Sequence, residues 1–205
     1  MNTVSVDNRS GEALPLDLYR DCVLFVLENQ GRVDGSEIAV SLVDLDEIQE
    51  LNRIYREVDE PTDVLSFVCD QVDDEFDEGL GEGLGEGLGD EAAGSPSDSS
   101  INSSAEENNE SASEVFVLGD VVIAPAVARK HAQEFESSFT DEMHLMLIHG
   151  TLHLLGYDHV DDDDYAIMQA LEDELLLQWG DYLRTNKELD AFVQEQERPY
   201  EQGEL

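Results

Sequence analysis

Positive charge is scarce in this 205-residue chain, which has 10 lysines and arginines against 50 aspartates and glutamates. The formal net charge of −40 argues against a protein that binds nucleic acid or membranes through an overall positive field, but not against a small local site. Long apolar runs are missing too, since no stretch reaches the roughly 18 residues that a transmembrane helix needs. The polar segment Met1–Gly11 shows no signal peptide. We therefore expect a cytoplasmic protein.

Cysteine is equally scarce. Cys22 and Cys69 lie far apart, each within an apolar run. We expect buried, reduced thiols rather than a disulfide or a metal-binding pair.

The apolar share of 40% is below the roughly 45–50% of typical globular domains, and one acidic segment accounts for the difference. Residues 70–114 contain 15 acidic and no basic residues, and residues 79–90 read GLGEGLGEGLGD. Such sequence cannot bury enough apolar area to offset the entropy lost on ordering it. We therefore predict one domain over residues 1–184, interrupted by a disordered insertion over residues 73–113, and a polar tail over residues 185–205.

Outside the insertion, strand-like and helix-like patterns interleave unevenly, which favours an α+β fold. We expect a single compact domain with a small mixed sheet of about four strands and four to five helices. The predicted strands cover residues 4–6, 37–43, 62–69 and 115–123. The predicted helices cover residues 17–29, 125–136, 141–155 and 161–183, with one more that Asp44 caps. The insertion then replaces a hairpin loop, where added length costs little stability.

Three of the five histidines lie in one short run, HGTLHLLGYDH. His149 and His153 are four residues apart, so on a helix they share one face. Gly156 is a natural helix end, because glycine readily adopts the left-handed conformation there. The chain can then turn and bring His159 to the same ion. Three neutral imidazoles plus water form the pattern of an open, zincin-like catalytic zinc site.

The remaining histidines and cysteines are less informative. His131 and His144 lack metal-ligand spacing, and we interpret both as structural or surface residues. Cys69 remains a candidate for a fourth ligand, which would make the metal structural rather than catalytic.

The histidine spacing also matches the metzincin peptidase motif H-E-x-x-H-x-x-G-x-x-H. In those peptidases the glutamate is the general base, and here its position holds Gly150, which has no side chain for that task. Peptide hydrolysis is therefore the weaker hypothesis.

The run HGTLHLLGYDH resembles the signature H-G-x-L-H-L-x-G-Y-D-H of the YbeY family, the bacterial rRNA-maturation endoribonucleases. Residues 51–67 resemble the family's L-N-x-x-Y-R-x-x-D-x-P-T-D-V-L-S-F block, and residues 118–123 its L-G-D-I-x-I strand. The three blocks follow the family's order, and the resemblance covers residues 4–183 apart from the insertion.

This resemblance implies a zinc-dependent endonuclease for single-stranded RNA, with one zinc per chain held by His149, His153 and His159. It implies work in 3′-end maturation of small-subunit rRNA and in ribosome quality control. The implied partners are precursor rRNA and the small ribosomal subunit, with a ribosomal protein and a ribosome-associated GTPase as candidates. Neither DNA nor a membrane is expected as a partner.

The resemblance also makes Arg56 functionally important, and its guanidinium fork suits a phosphate group. The alternative is a structural ion pair with Asp59 or Asp63. Asp158 and Asp120 each either orient a liganding histidine or serve a local structural role.

Asp63 and Ser66 either line the groove that would bind RNA or have only structural roles, in the turn at 61–63 and in the predicted strand at 62–69.

The net charge of the chain should repel free RNA, so recruitment through ribosomal proteins or a partner enzyme is expected. The acidic insertion is either a solvated loop or a segment that docks on a basic ribosomal protein. The non-hydrolytic alternative is a ribosome assembly factor with a structural metal.

Overall fold

The computed structural model describes residues 1–32, 35–69, 116–159 and 161–186. The predicted insertion at 73–113 lies outside these residues, as does the predicted tail from 187 onward. None of the described helices is long and apolar enough to cross a lipid bilayer.

Within these described residues the fold has four strands and five helices. The strands are β1 (Thr3–Asn8), β2 (Ser36–Leu42), β3 (Val64–Val68) and β4 (Phe116–Ile123). The helices are α1 (Leu16–Asn29), α2 (Leu45–Arg56), α3 (Pro125–Glu134), α4 (Phe139–Leu154) and α5 (Asp162–Thr185). The predicted α+β class and the approximate number of elements are confirmed.

The sheet is mixed and has the order β1-β2-β4-β3. β1 and β4 both run parallel to β2, whereas β3 and β4 are antiparallel neighbours. The chain between β3 and β4 therefore connects the two strands of a hairpin, as the sequence predicts for the acidic segment.

Each face of the sheet covers its own apolar cluster, because neighbouring strand residues point to opposite faces. Val121 and Ile123 pack into the main core with α1, α4 and α5. Val122 and Leu65 face the other way, into a smaller cluster that includes Ile48 of α2. Helices thus lie on both faces, and α4 packs directly on β3 and β4.

Local sequence signals fix several helix ends. Asp44 caps α2 by accepting a hydrogen bond from the Glu47 amide at 2.8 Å, as predicted. Pro125 occupies the first turn of α3, also as predicted. α4 begins two residues before its predicted start, because Ser138 accepts a hydrogen bond from the Asp141 amide.

Both cysteines are free thiols. Cys22 is fully buried, as expected, and burial raises the pKa of its thiol. Cys69, at the end of β3, is only half-buried, so the expectation of burial is wrong for that residue.

Candidate active site

His149 and His153 lie one turn apart on α4, on the side that faces a cleft. Their ring centroids are 4.6 Å apart and their Nε2 atoms 3.0 Å apart. The helical placement and the shared face agree with the prediction from the spacing of four.

The C-terminus of α4 carries the chain back towards these rings. Gly156 takes a positive φ of 89°, its amide donates to the His153 carbonyl, and the Tyr157 amide donates to the Leu152 carbonyl. This pair of hydrogen bonds is a Schellman motif, which glycine stabilises because it has no Cβ.

The reversed chain then places His159 beside the two helical histidines. Its ring centroid is 5.0 Å from that of His153 and 5.8 Å from that of His149. One ligand atom from each of the three residues lies within 4.8 Å of the others, so the group could hold a metal ion. Cys69 does not belong to this group.

The outer nitrogens of the two helical histidines have acceptor partners. His149 Nδ1 lies 2.5 Å from Glu172 Oε1, and His153 Nδ1 lies 3.0 Å from the Tyr157 carbonyl oxygen. Because an ionised carboxylate and a carbonyl only accept hydrogen bonds, Nδ1 carries the hydrogen in each ring. The Nε2 lone pairs are then free for a metal, an arrangement typical of histidine ligands.

Burial lowers the pKa of His153, and the neighbouring His149 and His159 rings lower it further. The lowered pKa favours the neutral imidazole, which is the form that ligates a metal. Both the orientation and the protonation state of the ring therefore fit the zinc expected at three histidines.

Glu172 is a site residue that sequence reasoning missed. It comes from α5, 13 positions after His159, and its side chain is only 15% exposed. Among 50 acidic residues no spacing singles it out. It is recognisable only once α5 packs on α4.

The three histidines line a cleft of about 440 Å³, together with some of the other site candidates from the sequence and with residues that were not candidates. From the sequence-based candidates it includes Arg56, Asp63 and Ser66. The remaining lining residues are Val64, His131, Phe135, Glu142, Leu145, Met146 and Glu172.

Arg56 is the last residue of α2 and has an exposed guanidinium. Six of the eight lysines and arginines in the described ranges pair with carboxylates: Arg9, Arg20, Arg53, Arg129, Lys130 and Arg184. Within those same ranges Arg56 forms no ion pair with Asp59, Asp63 or any other acidic residue. The structural alternative for Arg56 therefore has no support in the described chain.

Asp63 and Ser66 combine cleft positions with local structural contacts. Asp63 Oδ1 accepts hydrogen bonds from the Val64 amide at 2.8 Å and the Thr62 hydroxyl at 3.1 Å. The Ser66 hydroxyl donates to the Gly150 carbonyl at 3.2 Å, which ties β3 to α4.

Neither Asp158 nor Asp120 is placed as a hydrogen-bond partner of the three histidine rings. Asp158 Oδ1 accepts from the His159 amide at 2.8 Å and is 3.9 Å from His153 Nδ1, too far for a hydrogen bond. Its contact is that of a turn cap. Asp120 is exposed on β4, on the face opposite Val121, and is not among the residues that line the cleft.

Gly150 has a steric reason to be glycine. A Cβ at this position would lie 2.6 Å from Val121 Cγ1 and 3.2 Å from Ser66 Oγ. The position that holds the catalytic glutamate in metzincins is therefore packed against β3 and β4, with no space for a side chain.

His131 and His144 have different environments. His144 is 2% exposed and lies edge-on to Tyr19 and Trp179, as expected of a structural residue. His131 is instead part of the cleft wall, with Nδ1 3.9 Å from Asp63 Oδ2. Its sequence position gives no sign of this, because the cleft joins residues that are distant in sequence.

Comparison with known proteins identifies the family and agrees with the fold. The family model described as endoribonuclease YbeY matches residues 6–180, which contain the three sequence blocks and all three histidines. The chain belongs to the endoribonuclease YbeY family.

Individual relatives show the extent of the similarity. The chain is 33% identical over 174 residues to an endoribonuclease YbeY from Macrococcus caseolyticus, covering 85% of this chain and 92% of the relative. It is 34% identical over 177 residues to one from Salinispora tropica, covering 86% and 96%. A solution structure of TM1509 from Thermotoga maritima shares the fold, with a TM-score of 0.52 and 22% identity over 99% of this chain and 100% of that one.

Proposed function

We propose that this protein is a zinc-dependent, single-strand-specific endoribonuclease that matures the 3′ end of small-subunit rRNA in the cytoplasm and serves ribosome quality control. Its class as an endoribonuclease follows from membership of the YbeY family. The observation that carries the metal-dependent mechanism is the convergence of His149, His153 and His159 in the cleft that Arg56 also lines.

The donor set supports zinc. Three imidazoles suit this ion, and among the described residues no fourth protein ligand joins the three histidines. An open coordination position is typical of catalytic rather than structural zinc. When bound, zinc supplies Lewis acidity that polarises a phosphoryl oxygen and acidifies water.

The protein's own residues position the reacting groups. Glu172 and the Tyr157 carbonyl hold the His149 and His153 rings through their Nδ1 atoms. In this proposal Arg56 binds the scissile phosphate with its guanidinium fork and stabilises the charge that develops there. Asp63 and Ser66 form part of the wall of the groove in which the RNA strand would lie.

Net charge shapes how the enzyme reaches its substrate. At −40 the chain repels free RNA at long range, so encounter with isolated RNA should be slow. We therefore propose delivery on the small ribosomal subunit, through a ribosomal protein or a ribosome-associated GTPase. The acidic segment at 73–113 is a candidate for docking on a basic ribosomal protein.

The test is RNA cleavage by the purified protein, with the metal content measured on the same sample. The substrate is single-stranded RNA that carries the 3′ region of precursor small-subunit rRNA, supplied alone and within small ribosomal subunits. We expect about one zinc per chain and cleavage, both lost in His153→Ala. Zinc without cleavage of either substrate would contradict the nuclease mechanism and favour an assembly factor.

A further inference from the structure

Phe135 is an exposed aromatic residue at the cleft. Its side chain is 71% exposed, and the residue lines the same cleft as the three histidines and Arg56. Large exposed rings beside a concave site are typical of binding surfaces.

Backbone hydrogen bonds hold the main chain at Phe135, from which the ring projects. Phe135 caps the C-terminus of α3, and its amide donates to the His131 carbonyl at 2.9 Å. Glu136 then takes a left-handed φ of 55°, and the Ser137 amide closes the turn on the Ala132 carbonyl. The ring therefore projects from an ordered helix end.

A second aromatic side chain supports the first. The His131 ring lies edge-on to Phe135, with centroids 6.0 Å apart and an interplanar angle of 71°. His131 Nδ1 also lies 3.9 Å from Asp63 Oδ2. This contact involves the edge of one ring, and most of the Phe135 side chain remains exposed to solvent.

The protein's own side chains give this cleft little positive charge. Among its described lining residues Arg56 is the one lysine or arginine, whereas Asp63, Glu142 and Glu172 are acidic. A bound zinc and Arg56 would attract the phosphate at the reaction centre, and a neutral contact would add affinity for the rest of the nucleotide. Stacking of a base on an aromatic ring provides such a contact and is open to bases that are not paired within a helix.

We propose that Phe135, supported by His131, forms a base-stacking subsite for one unpaired nucleotide of the RNA. The subsite rests on the proposed function and gives a physical reason for the enzyme to prefer single-stranded RNA. The cleft volume of about 440 Å³ is within the roughly 300–1,000 Å³ of small-molecule pockets, so a nucleotide can enter it.

The experiment compares Phe135→Ala, Phe135→Leu and Phe135→Trp in the metal-loaded full-length protein. The RNA is a single-stranded oligonucleotide with 2-aminopurine at successive positions, and rapid mixing records the fluorescence change on binding before cleavage. Tyr165→Ala is the matched control, because Tyr165 is a 54% exposed aromatic on α5 that does not line the cleft.

We expect Phe135→Ala and Phe135→Leu to weaken binding by roughly tenfold or more, the effect of losing one stacked base. Phe135→Trp should retain affinity because it keeps an aromatic face, and Tyr165→Ala should match the wild type. In a second arm, removing the base at the stacked position should weaken wild-type binding but add nothing to Phe135→Ala.

The outcomes separate the two proposals. If the wild type cleaves RNA and Phe135→Ala binds and cleaves equally well, the subsite is overturned and the nuclease stands. Equal losses in Phe135→Ala and Phe135→Trp would also overturn it, because a ring would then not suffice. If the wild type binds RNA through Phe135 but cleaves none, the subsite stands and the nuclease mechanism fails.

Discussion

Glu172 Oε1 lies 2.5 Å from His149 Nδ1 and so connects α5 to the metal-site histidines on α4. The carboxylate is mostly buried, so it holds the ring in a fixed orientation with Nε2 directed towards the other histidines. The long helix α5 thus contributes to the site although it carries none of the three histidines.

Replacing Glu172 by Gln should weaken metal binding by roughly 10- to 100-fold, because the His149 ring loses its charged partner. Competition with a chromophoric chelator measures the affinity. Asp173→Asn removes the same charge from an adjacent exposed position on α5 and should leave the affinity unchanged. Equal metal affinity in Glu172→Gln and the wild type would refute the orienting role.

Arg56→Ala should retain the metal and lose cleavage activity by roughly 100- to 1,000-fold, as expected for a group that stabilises transition-state charge. The kcat on single-stranded RNA and the metal content of the same preparation test this. Arg53→Ala is the control with equal charge loss, since Arg53 lies on the same helix and pairs with Glu50. Similar rates for both variants would remove Arg56 from the mechanism.

Gly150→Ala should destabilise the fold by about 1–3 kcal/mol, because the new Cβ overlaps Val121 at the contact between α4 and β4. Urea unfolding measures the free energy. Gly180→Ala should stabilise the fold by about 0.5–1 kcal/mol, because alanine favours a helix more than glycine does. The new Cβ would meet no atom closer than 3.6 Å. Gain of stability in Gly150→Ala would contradict the steric explanation.

The α+β class, the approximate helices and strands and the grouping of the three histidines were predictable, because local sequence patterns indicate them. The spacing of His149 and His153 predicts their shared face, and the helix-ending Gly156 predicts the turn that lets His159 approach them. Glu172, Phe135 and His131 were not predictable, because tertiary packing brings them to the cleft. Asp158 was ambiguous in sequence, since a carboxylate next to a histidine suits both a turn cap and a histidine partner.

His144 should make stability depend on pH between about 4 and 6.5. Burial lowers its pKa to about 4, only partly offset by Asp141, whereas an unfolded histidine has the ordinary value near 6.5. In this window the unfolded chain binds more protons, so the stabilisation is complete above pH 6.5 and is lost as the pH falls towards 4. The loss amounts to about 3 kcal/mol at its largest.

The carboxylates titrate in the same range, so the informative quantity is the difference between the wild type and His144→Leu. Leucine lacks the ionisable ring but fills much of the same space between Tyr19 and Trp179. Urea unfolding at a series of pH values should give a wild-type free energy that falls more steeply below pH 6.5 than that of the variant. Parallel curves would mean that His144 is not buried in its neutral form.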